Sequence, residues 1–225
     1  MKNFIKIIIA GAVITIIGLG IYAISKNKNT DESNNTISFS NSSKEEILRI
    51  TDSDNILGDK SAPITIVNYS DYQCPYCINF DKTMTQIVES YPGQVRWVYR
   101  HFPLPSNKYS KGTAIAAEAA GKQGKFWEFH NKIVEKSRPD GSKFQERNLL
   151  EYAKELGLNE NQFKNDLKDM KVIAKVENDT ASGTALKIKG TPASYLIDQN
   201  NNIEELRGAL TFEQLKEKLD PPLNE

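Results

Sequence analysis

The chain has 225 residues, which is enough for one domain of ordinary size plus a tail. Its 29 Lys and Arg residues balance 29 Asp and Glu residues, so it lacks the basic stripe that nucleic-acid binding requires. Hydrophobic residues make up 39% of the chain and can supply a core even when the N-terminal segment is set aside. We therefore expect a folded domain that does not bind nucleic acid.

The first 25 residues predict a membrane-targeting segment. Lys2 and Lys6 give it a basic start, and residues 7–24 form an uncharged apolar run of 18 residues. A membrane-spanning helix needs about 17–25 such residues, whereas the apolar region of a cleaved signal peptide has about 7–15. We therefore expect residues 1–25 to be a signal-anchor or transmembrane helix, with the domain on the outer side of the membrane. Cleavage after Ser25 is the alternative, and it would leave the domain secreted or periplasmic.

Residues 26–43 differ in composition from the segments on either side. They are rich in Asn, Ser and Thr and nearly free of large apolar residues, which is typical of a flexible linker. The chain is therefore predicted to have three parts: the targeting segment 1–25, the linker 26–43 and a domain over 44–225.

The two cysteines of the chain, Cys74 and Cys77, are separated by Pro75 and Tyr76. A strand-like run over 64–69 leads into them, and a helix-like run over 74–90 follows. The start of a helix offers unpaired N–H groups and the positive end of the helix dipole, which stabilise a thiolate. Strand, turn and C-x-x-C at a helix start is the arrangement that a dithiol redox centre needs.

The helical spacing predicts different roles for the two thiols. An apolar stripe runs down one face of the helix and includes Cys77, Phe80, Met84, Ile87, Val88 and Tyr91. Cys77 should therefore point toward the core, and Cys74 should reach solvent. This asymmetry favours Cys74 as the thiol that attacks or is attacked, and Cys77 as the thiol that resolves the mixed disulfide.

Two other readings of the cysteine pair remain open. A zinc half-site would need about two more ligands, yet His101 and His130 lie 29 residues apart in different predicted elements. A structural disulfide that closes so short a loop would remove little chain entropy. We expect structural roles for both histidines, and core positions for Trp97 and Trp127.

The rest of the chain alternates strands and helices in a recognisable order. A strand over 94–102 should pair in parallel with the first strand across the intervening helix. Residues of about 110–187 read as a helical insert. A hairpin over 193–198 and 203–206 follows, and then a closing helix capped by Thr211 and Gln214 and stopped by Pro221 and Pro222.

This order of elements resembles the thioredoxin fold, an α/β fold, and the insert resembles its DsbA-like branch. The runs that carry the resemblance are Tyr69-Ser70-Asp71-Tyr72-Gln73-Cys74-Pro75-Tyr76-Cys77, Arg100-His101-Phe102-Pro103-Leu104 and residues 121–130, which read GKQGKFWEFH. It covers about residues 56–219. A DsbA-like thioredoxin fold with an inserted helical subdomain is therefore the expected architecture.

The resemblance implies further features of the site. Pro192 would be a cis-proline that faces the cysteines, and the backbone of Thr191 before it would pair with an extended substrate peptide. Neither an organic cofactor nor a metal is implied. Protein substrates with thiols or disulfides are implied, together with a membrane redox partner of the DsbB-like or VKOR-like kind.

Two positions depart from the pattern of this family. An acidic residue often lies six positions before the first cysteine, whereas this chain has Asn68, which cannot titrate. Asp71 and Glu118 are not obvious substitutes, so either a water or another carboxylate takes the role, or Cys77 deprotonates more slowly. Tyr76 stands where strongly oxidising members carry His, so we expect a less acidic Cys74 and a less oxidising centre.

The sequence thus predicts an extracytoplasmic thiol–disulfide oxidoreductase, most simply a disulfide donor to exported proteins. A reductase kept reduced by a membrane donor is the first alternative. A peptide-binding or chaperone module with dispensable cysteines is the second.

Overall fold

The computed structural model describes residues 41–138 and 140–223. Within these residues, no helix is both long and apolar enough to cross a membrane. The predicted targeting segment 1–25 and most of the predicted linker lie outside the described residues. The first described helix begins at Asn41, so the last three residues of the predicted linker are helical.

A five-stranded sheet in the order β1-β3-β2-β4-β5 forms the centre of the domain. Its strands are β1 (Asn55–Leu57), β2 (Ile64–Ser70), β3 (Val95–His101), β4 (Ala193–Ile197) and β5 (Ile203–Arg207). The pair β2–β3 is parallel, and the other three pairs are antiparallel. The predicted crossover unit and the predicted hairpin are therefore both confirmed.

Eight helices accompany the sheet in the described part of the chain. They are α1 (Asn41–Leu48), α2 (Pro75–Ser90), α3 (Ser110–Gly121), α4 (Phe126–Lys136), α5 (Glu146–Glu155), α6 (Glu160–Asp166), α7 (Met170–Ala185) and α8 (Phe212–Leu223). A short 3₁₀ turn at Ser142–Phe144 precedes α5. Helices α3 to α7 lie between β3 and β4 in the chain, which confirms the helical insert.

The middle strand β2 is buried at all seven positions and supplies both cores. Successive side chains of a strand point to opposite faces of the sheet. Ile64 and Ile66 join the core that includes Trp97, and Val67 and Tyr69 join the core on the other face. A strand covered on both faces explains why this segment reads as a nearly continuous apolar run.

Helix α7 approaches the sheet very closely at Gly183. A Cβ atom at this position would lie 2.6 Å from the Phe102 ring and 3.0 Å from the Tyr69 ring. The absence of a side chain at Gly183 therefore allows the insert to pack directly on the end of the central strands.

The predicted helix ends are partly right. Thr211 and Gln214 form the reciprocal capping box, with a 2.9 Å bond from the Thr211 amide to Gln214 Oε1 and a 3.3 Å bond in return. The predicted stop at Pro221 and Pro222 is wrong, because α8 continues to Leu223. A proline removes only its own amide donor and the bond it would make, and near a helix end most of the last turn can still form.

Candidate active site

Both cysteines lie at the N-terminus of α2. Cys74 is the N-cap residue with extended backbone angles, and Pro75 occupies the first helical turn, where its missing amide costs no hydrogen bond. The amides of Cys77 and Ile78 donate to the Cys74 carbonyl at 3.0 and 3.2 Å. The local sequence therefore places the Cys74 side chain beside the unpaired amides of the first turn.

The two thiols are free in this structure and differ in exposure in the predicted order. Cys74 is 8% exposed and Cys77 is 1% exposed. The expectation that Cys74 reaches solvent is wrong, because both side chains are buried. Pro75 and Tyr76, which lie between the cysteines, face solvent, and the Tyr76 side chain is 70% exposed. The Tyr76 ring therefore lies on the surface beside a thiol that is almost covered.

The environment of Cys74 favours its thiolate. The pKa of Cys74 is lowered to about 6, and the largest cause is a hydrogen bond from the Cys77 thiol. Burial opposes this effect, whereas the Thr191 side chain and the amides of Cys77 and Tyr76 add to it. Ordinary thiols ionise near pH 8.5. Cys74 is therefore mostly ionised at neutral pH, which is the form that exchanges with disulfides.

The environment of Cys77 has the opposite effect. Burial, followed by its hydrogen bond to Cys74, raises the pKa of the Cys77 thiol far above its ordinary value. The hydroxyls of Ser70 and Thr191 oppose that rise without cancelling it. One thiol of the pair is thus held ready to ionise, and the other is held protonated.

The segment before β4 completes the surroundings of Cys74. The Thr191–Pro192 peptide bond is cis, as the resemblance implied. When it is protonated, the Cys74 thiol donates to the Thr191 carbonyl with Sγ and O 3.3 Å apart, across 117 residues of sequence. Thr191 is half-buried and Pro192 is buried. The structure therefore brings all of the predicted site residues, Cys74 to Cys77 with Thr191 and Pro192, to one place.

Asp71 anchors the loop that leads into the cysteines. Its Oδ1 accepts from the Gln73 amide at 2.7 Å and from the Ser110 hydroxyl. Its Oδ2 accepts from the Leu104 amide and from Asn107 Nδ2, each at 2.8 Å. Because three of these donors come from the segment after β3 and the start of α3, Asp71 ties the active-site loop to the helical insert.

Asp81 is a second buried carboxyl group near the pair, and it was not predicted from the sequence. It lies one helical turn after Cys77 on the buried face of α2 and is 3% exposed. Neither of its oxygens has a hydrogen-bond partner among the described residues. A charged residue at helical spacing inside an apolar stripe was the available signal, since Asp81 falls between Cys77 and Met84.

Asn68 lies on β2 and is completely buried. Its Nδ2 donates to Ser194 Oγ at 2.9 Å, while its Oδ1 has no partner among the described residues. Asn68 therefore links β2 to β4 and does not titrate. A buried carboxyl group near the pair is present on α2, at Asp81.

The family is settled by comparison with known proteins. Residues 51–221 match the family described as Thioredoxin. The chain belongs to this thioredoxin family. Its fold is the DsbA-like form of the thioredoxin fold, with a helical insert between β3 and β4.

Solved structures repeat the fold over most of the domain. A thioredoxin-like oxidoreductase from Silicibacter pomeroyi DSS-3 superposes with a TM-score of 0.67 and 28% identity, over 78% of this chain and 95% of that chain. α-DsbA1 from Wolbachia pipientis superposes with a TM-score of 0.69 and 22% identity, over 80% and 96%. At that identity the second likeness concerns the fold alone.

Sequence relatives are of two kinds. A protein named probable disulfide bond formation protein D, from Bacillus anthracis, is 29% identical over 99% of both chains. A protein named Na(+)/H(+) antiporter NhaA 3, from Salinispora tropica, is 32% identical over 76% of this chain. The chain spans only 26% of the length of that antiporter and 24% of a second one from Salinispora arenicola.

The two histidines lie in different polar clusters of this thioredoxin-family domain. His101 Nε2 is 2.9 Å from Glu118 Oε1, and the His101 amide donates to Asp179 Oδ2 at 3.0 Å. Burial would raise the pKa of Glu118, but the hydrogen bond and charge of His101 hold it below its usual range. His130 bonds to the Tyr72 hydroxyl through Nδ1 at 2.9 Å.

One of these clusters has the composition of a metal site. In the described part of the chain, His101, Glu118 and Asp179 have ligand atoms within 4.8 Å of one another. Lys175 Nζ lies 2.6 Å from Asp179 Oδ2, so an ammonium group already provides positive charge at this place. The cysteines are not part of this group, and the zinc half-site reading of the C-x-x-C pair gains no further ligand from it.

Proposed function

We propose that this chain is an extracytoplasmic oxidoreductase that donates the Cys74–Cys77 disulfide to exported proteins. The observation that carries the proposal is the opposite shift of the two thiol pKa values at the start of α2. A pair whose reduced form contains a stabilised thiolate gains less from forming its disulfide, and so it is a better oxidant.

The exchange follows from the geometry of the pair. A substrate thiolate attacks Cys74 Sγ, a mixed disulfide forms, and Cys77 leaves as the thiolate. A second substrate thiolate then attacks the substrate sulfur of the mixed disulfide, the substrate disulfide forms, and Cys74 leaves as its stabilised thiolate. Two electrons pass from the two substrate thiols to the cysteine pair, and the thiol protons go to solvent and to Cys77.

The substrate segment is proposed to lie along Thr191 and Pro192. The Thr191 carbonyl is already within 3.3 Å of Cys74 Sγ, so a peptide paired with this backbone would bring its own sulfur to the pair. Backbone pairing is independent of side chains and suits an enzyme with many substrates. The exposed ring of Tyr76 offers an apolar contact beside the same thiol.

The site of action is proposed to be the outer face of a membrane. The basic start and the apolar run over 7–24 support an N-terminal anchor, and residues 26–40 would separate the domain from the membrane. The relative from Bacillus anthracis, named for disulfide bond formation, matches this chain over 99% of its length. A membrane protein of the DsbB-like or VKOR-like kind would accept the two electrons and restore the disulfide.

The deciding experiment is the reduction potential of the pair in the full chain, measured by equilibration with glutathione buffers. Disulfide donation predicts a potential near or above about −180 mV, among protein oxidants. A potential near about −270 mV would place the protein with thioredoxin-like reductants and overturn donation. If the pair never exchanges with glutathione, redox activity itself is refuted, and a peptide-binding module becomes the function to test.

Matched serine variants assign the two roles. With Cys77→Ser, the mixed disulfide with a substrate peptide should accumulate, because no resolving thiol remains. With Cys74→Ser, no mixed disulfide should form, because the remaining thiol is buried and protonated. Equal trapping by both variants would contradict the assignment.

A further inference from the structure

The Asp81 carboxyl group stands out among the buried polar groups of the domain. Most buried polar atoms in proteins have at least one hydrogen-bond partner. Asp81 has none among the described residues, although it is as buried as the residues of the core around it. An isolated carboxylate there would be costly, so the environment favours the protonated acid.

The groups that face Asp81 from other elements are neutral at ordinary pH. His130 on α4 has its Nε2 3.8 Å from Asp81 Oδ2, which is too long for a hydrogen bond, and burial lowers the pKa of His130 to about 3. Burial keeps the Tyr72 and Tyr99 hydroxyls protonated by raising their pKa values. No described partner on α4 or β3 therefore neutralises an Asp81 carboxylate.

The charge that reaches Asp81 comes from the cysteine pair. Burial first, and then the charge of the Cys74 thiolate, raise the pKa of Asp81 well above its ordinary value. When Cys74 enters a disulfide it loses its negative charge, and burial alone then raises the pKa of Asp81. The protonation of Asp81 is thus coupled to the redox state of the pair.

Asp81 also lies close to the thiol that needs a proton. Cys77 and Asp81 are four residues apart on one helix face, where side chains are neighbours at about 5–6 Å between Cβ atoms. That separation allows proton transfer across one bridging water. Cys77 is the thiol whose thiolate is strongly disfavoured, so a proton donor beside it would have a use.

A cleft between α2 and α4 connects this position to the surface. It has a volume of about 580 Å³, and Asp81 and His130 are among the residues that line it. Lys82, Gln86, Asn131 and Glu135 also line it, and all four are exposed. The cleft gives Asp81 a route to water that does not pass through the face where Cys74 and Thr191 meet a substrate.

We propose that Asp81 carries the proton that Cys77 gains when the disulfide opens and loses when it re-forms, and that Asp81 exchanges this proton with solvent through the α2–α4 cleft. The inference rests on the proposed exchange at Cys74. In the opening step, the substrate thiolate bonds to Cys74 Sγ, the Cys74–Cys77 bond breaks, and the Cys77 thiolate takes the proton of the Asp81 acid. In the closing step, the Asp81 carboxylate takes the Cys77 proton, and the Cys77 thiolate attacks Cys74 and releases the substrate thiolate.

The test measures how fast glutathione opens the disulfide of the oxidised full chain as the pH is varied. Each rate is divided by the concentration of glutathione thiolate, which removes the titration of the nucleophile. For the unmodified chain, this corrected rate should fall as the pH rises through the folded pKa of Asp81, because the proton donor is lost. Asp81→Asn should lower the corrected rate at acidic pH by about tenfold or more and abolish the fall.

Three further variants separate proton transfer from a structural effect. Asp81→Glu keeps a carboxyl group and should retain the fall with pH. Asp166→Asn is the matched control. Asp166 lies on α6, is buried, has one oxygen paired with Lys122 and has the other without a described partner. This variant should behave as the unmodified chain. Asp81→Ser, which removes the carboxyl group without adding an amide, should repeat the loss seen with Asn.

The outcomes separate this inference from the proposed function. If the unmodified chain is not opened by glutathione, the proposed exchange fails. If it is opened and Asp81→Asn keeps its corrected rate within about twofold at every pH, the proton-carrier role is refuted and the exchange stands. A loss shared equally by Asp81→Asn and Asp166→Asn would also refute it, because a general disturbance of the fold would then explain both.

Discussion

Asp71 and Asp81 lie on either side of the cysteines in the chain and are almost equally buried, at 2% and 3% exposed. Four donors surround the Asp71 carboxylate, and no described donor reaches the Asp81 carboxyl group. The same residue type at the same depth is therefore used in two ways. Asp71 fixes the loop before Cys74, and Asp81 remains available to exchange a proton.

The comparison shows that burial alone does not assign a role to an acidic residue. A buried carboxylate with its lone pairs occupied is a structural connection, because removing it leaves several donors unpaired. A buried carboxyl group without partners adds little to stability and is free to respond to a neighbouring charge. The same substitution at the two positions should therefore have opposite signatures.

The largest effect is expected for Asp71→Asn. An amide nitrogen would replace one of the two oxygens and leave two buried donors without an acceptor, at about 1–3 kcal/mol each. The free energy of unfolding should fall by about 2–5 kcal/mol in urea titrations of the full chain. Asp59→Asn, at an exposed turn, serves as the control and should leave the stability nearly unchanged. An equally small change for Asp71→Asn would remove the distinction between the two carboxyl groups.

The next effect concerns the close contact between α7 and the end of the sheet at Gly183. Gly183→Ala should lower the unfolding free energy by about 1–3 kcal/mol, because the new methyl group would overlap the Phe102 ring. Gly112→Ala is the matched control, since it lies in α3 with no atom within 4 Å, and it should raise stability by about 0.5–1 kcal/mol. Equal changes in both variants would show that the close approach is not limiting.

The reactivity of Cys74 should fall about tenfold for each pH unit below about 6, since alkylation requires the thiolate. This is measured as the rate of iodoacetamide modification of the reduced chain. Cys77→Ala should move the midpoint to higher pH, because the hydrogen bond from Cys77 is the largest cause of the low pKa. A midpoint near 8.5 in the unmodified chain would mean that the site does not stabilise the thiolate.

The smallest effect on stability is expected for Asp81→Asn, within about 1 kcal/mol at acidic pH, because no hydrogen bond is lost. The folded pKa of Asp81 is raised, so its contribution to stability is fully present below the ordinary carboxyl pKa and is lost as the pH rises through the folded value. Asparagine does not titrate. The variant should therefore gain stability relative to the unmodified chain as the pH rises. A difference that is constant with pH would contradict the raised pKa.

The parts of the site that depend on local sequence were predictable. Residue spacing within one or two elements was enough to predict three features: Cys74 to Cys77 at a helix start, the buried stripe of α2, and the hairpin after Pro192. The resemblance supplied the cis bond before Pro192. These features depend on residues that are close together in the chain, or on a family motif that this chain retains.

The parts that depend on distant partners were not predictable. Three of the four donors to Asp71 come from residues 33 to 39 positions later, and nothing in the local sequence indicates them. The prediction that α8 stops at Pro221 and Pro222 was wrong. It applied the rule that proline breaks a helix, but at a helix end the backbone hydrogen bonds that proline removes matter little. Asp81 could have been found, since it interrupts an apolar stripe, but its lack of partners is visible only in three dimensions.

The contact between Cys74 and Thr191 has a consequence for the order in which the protein folds. The two residues are 117 positions apart, and the bond from Asn68 to Ser194 spans 126 positions. Such contacts form only after a long loop has closed, whereas β2, α2 and β3 can associate from a short stretch of chain. During synthesis, the helix that carries the thiols is therefore present well before the backbone that faces Cys74. The finished reactive site appears last, so an unfinished chain is poorly equipped to exchange disulfides with its neighbours.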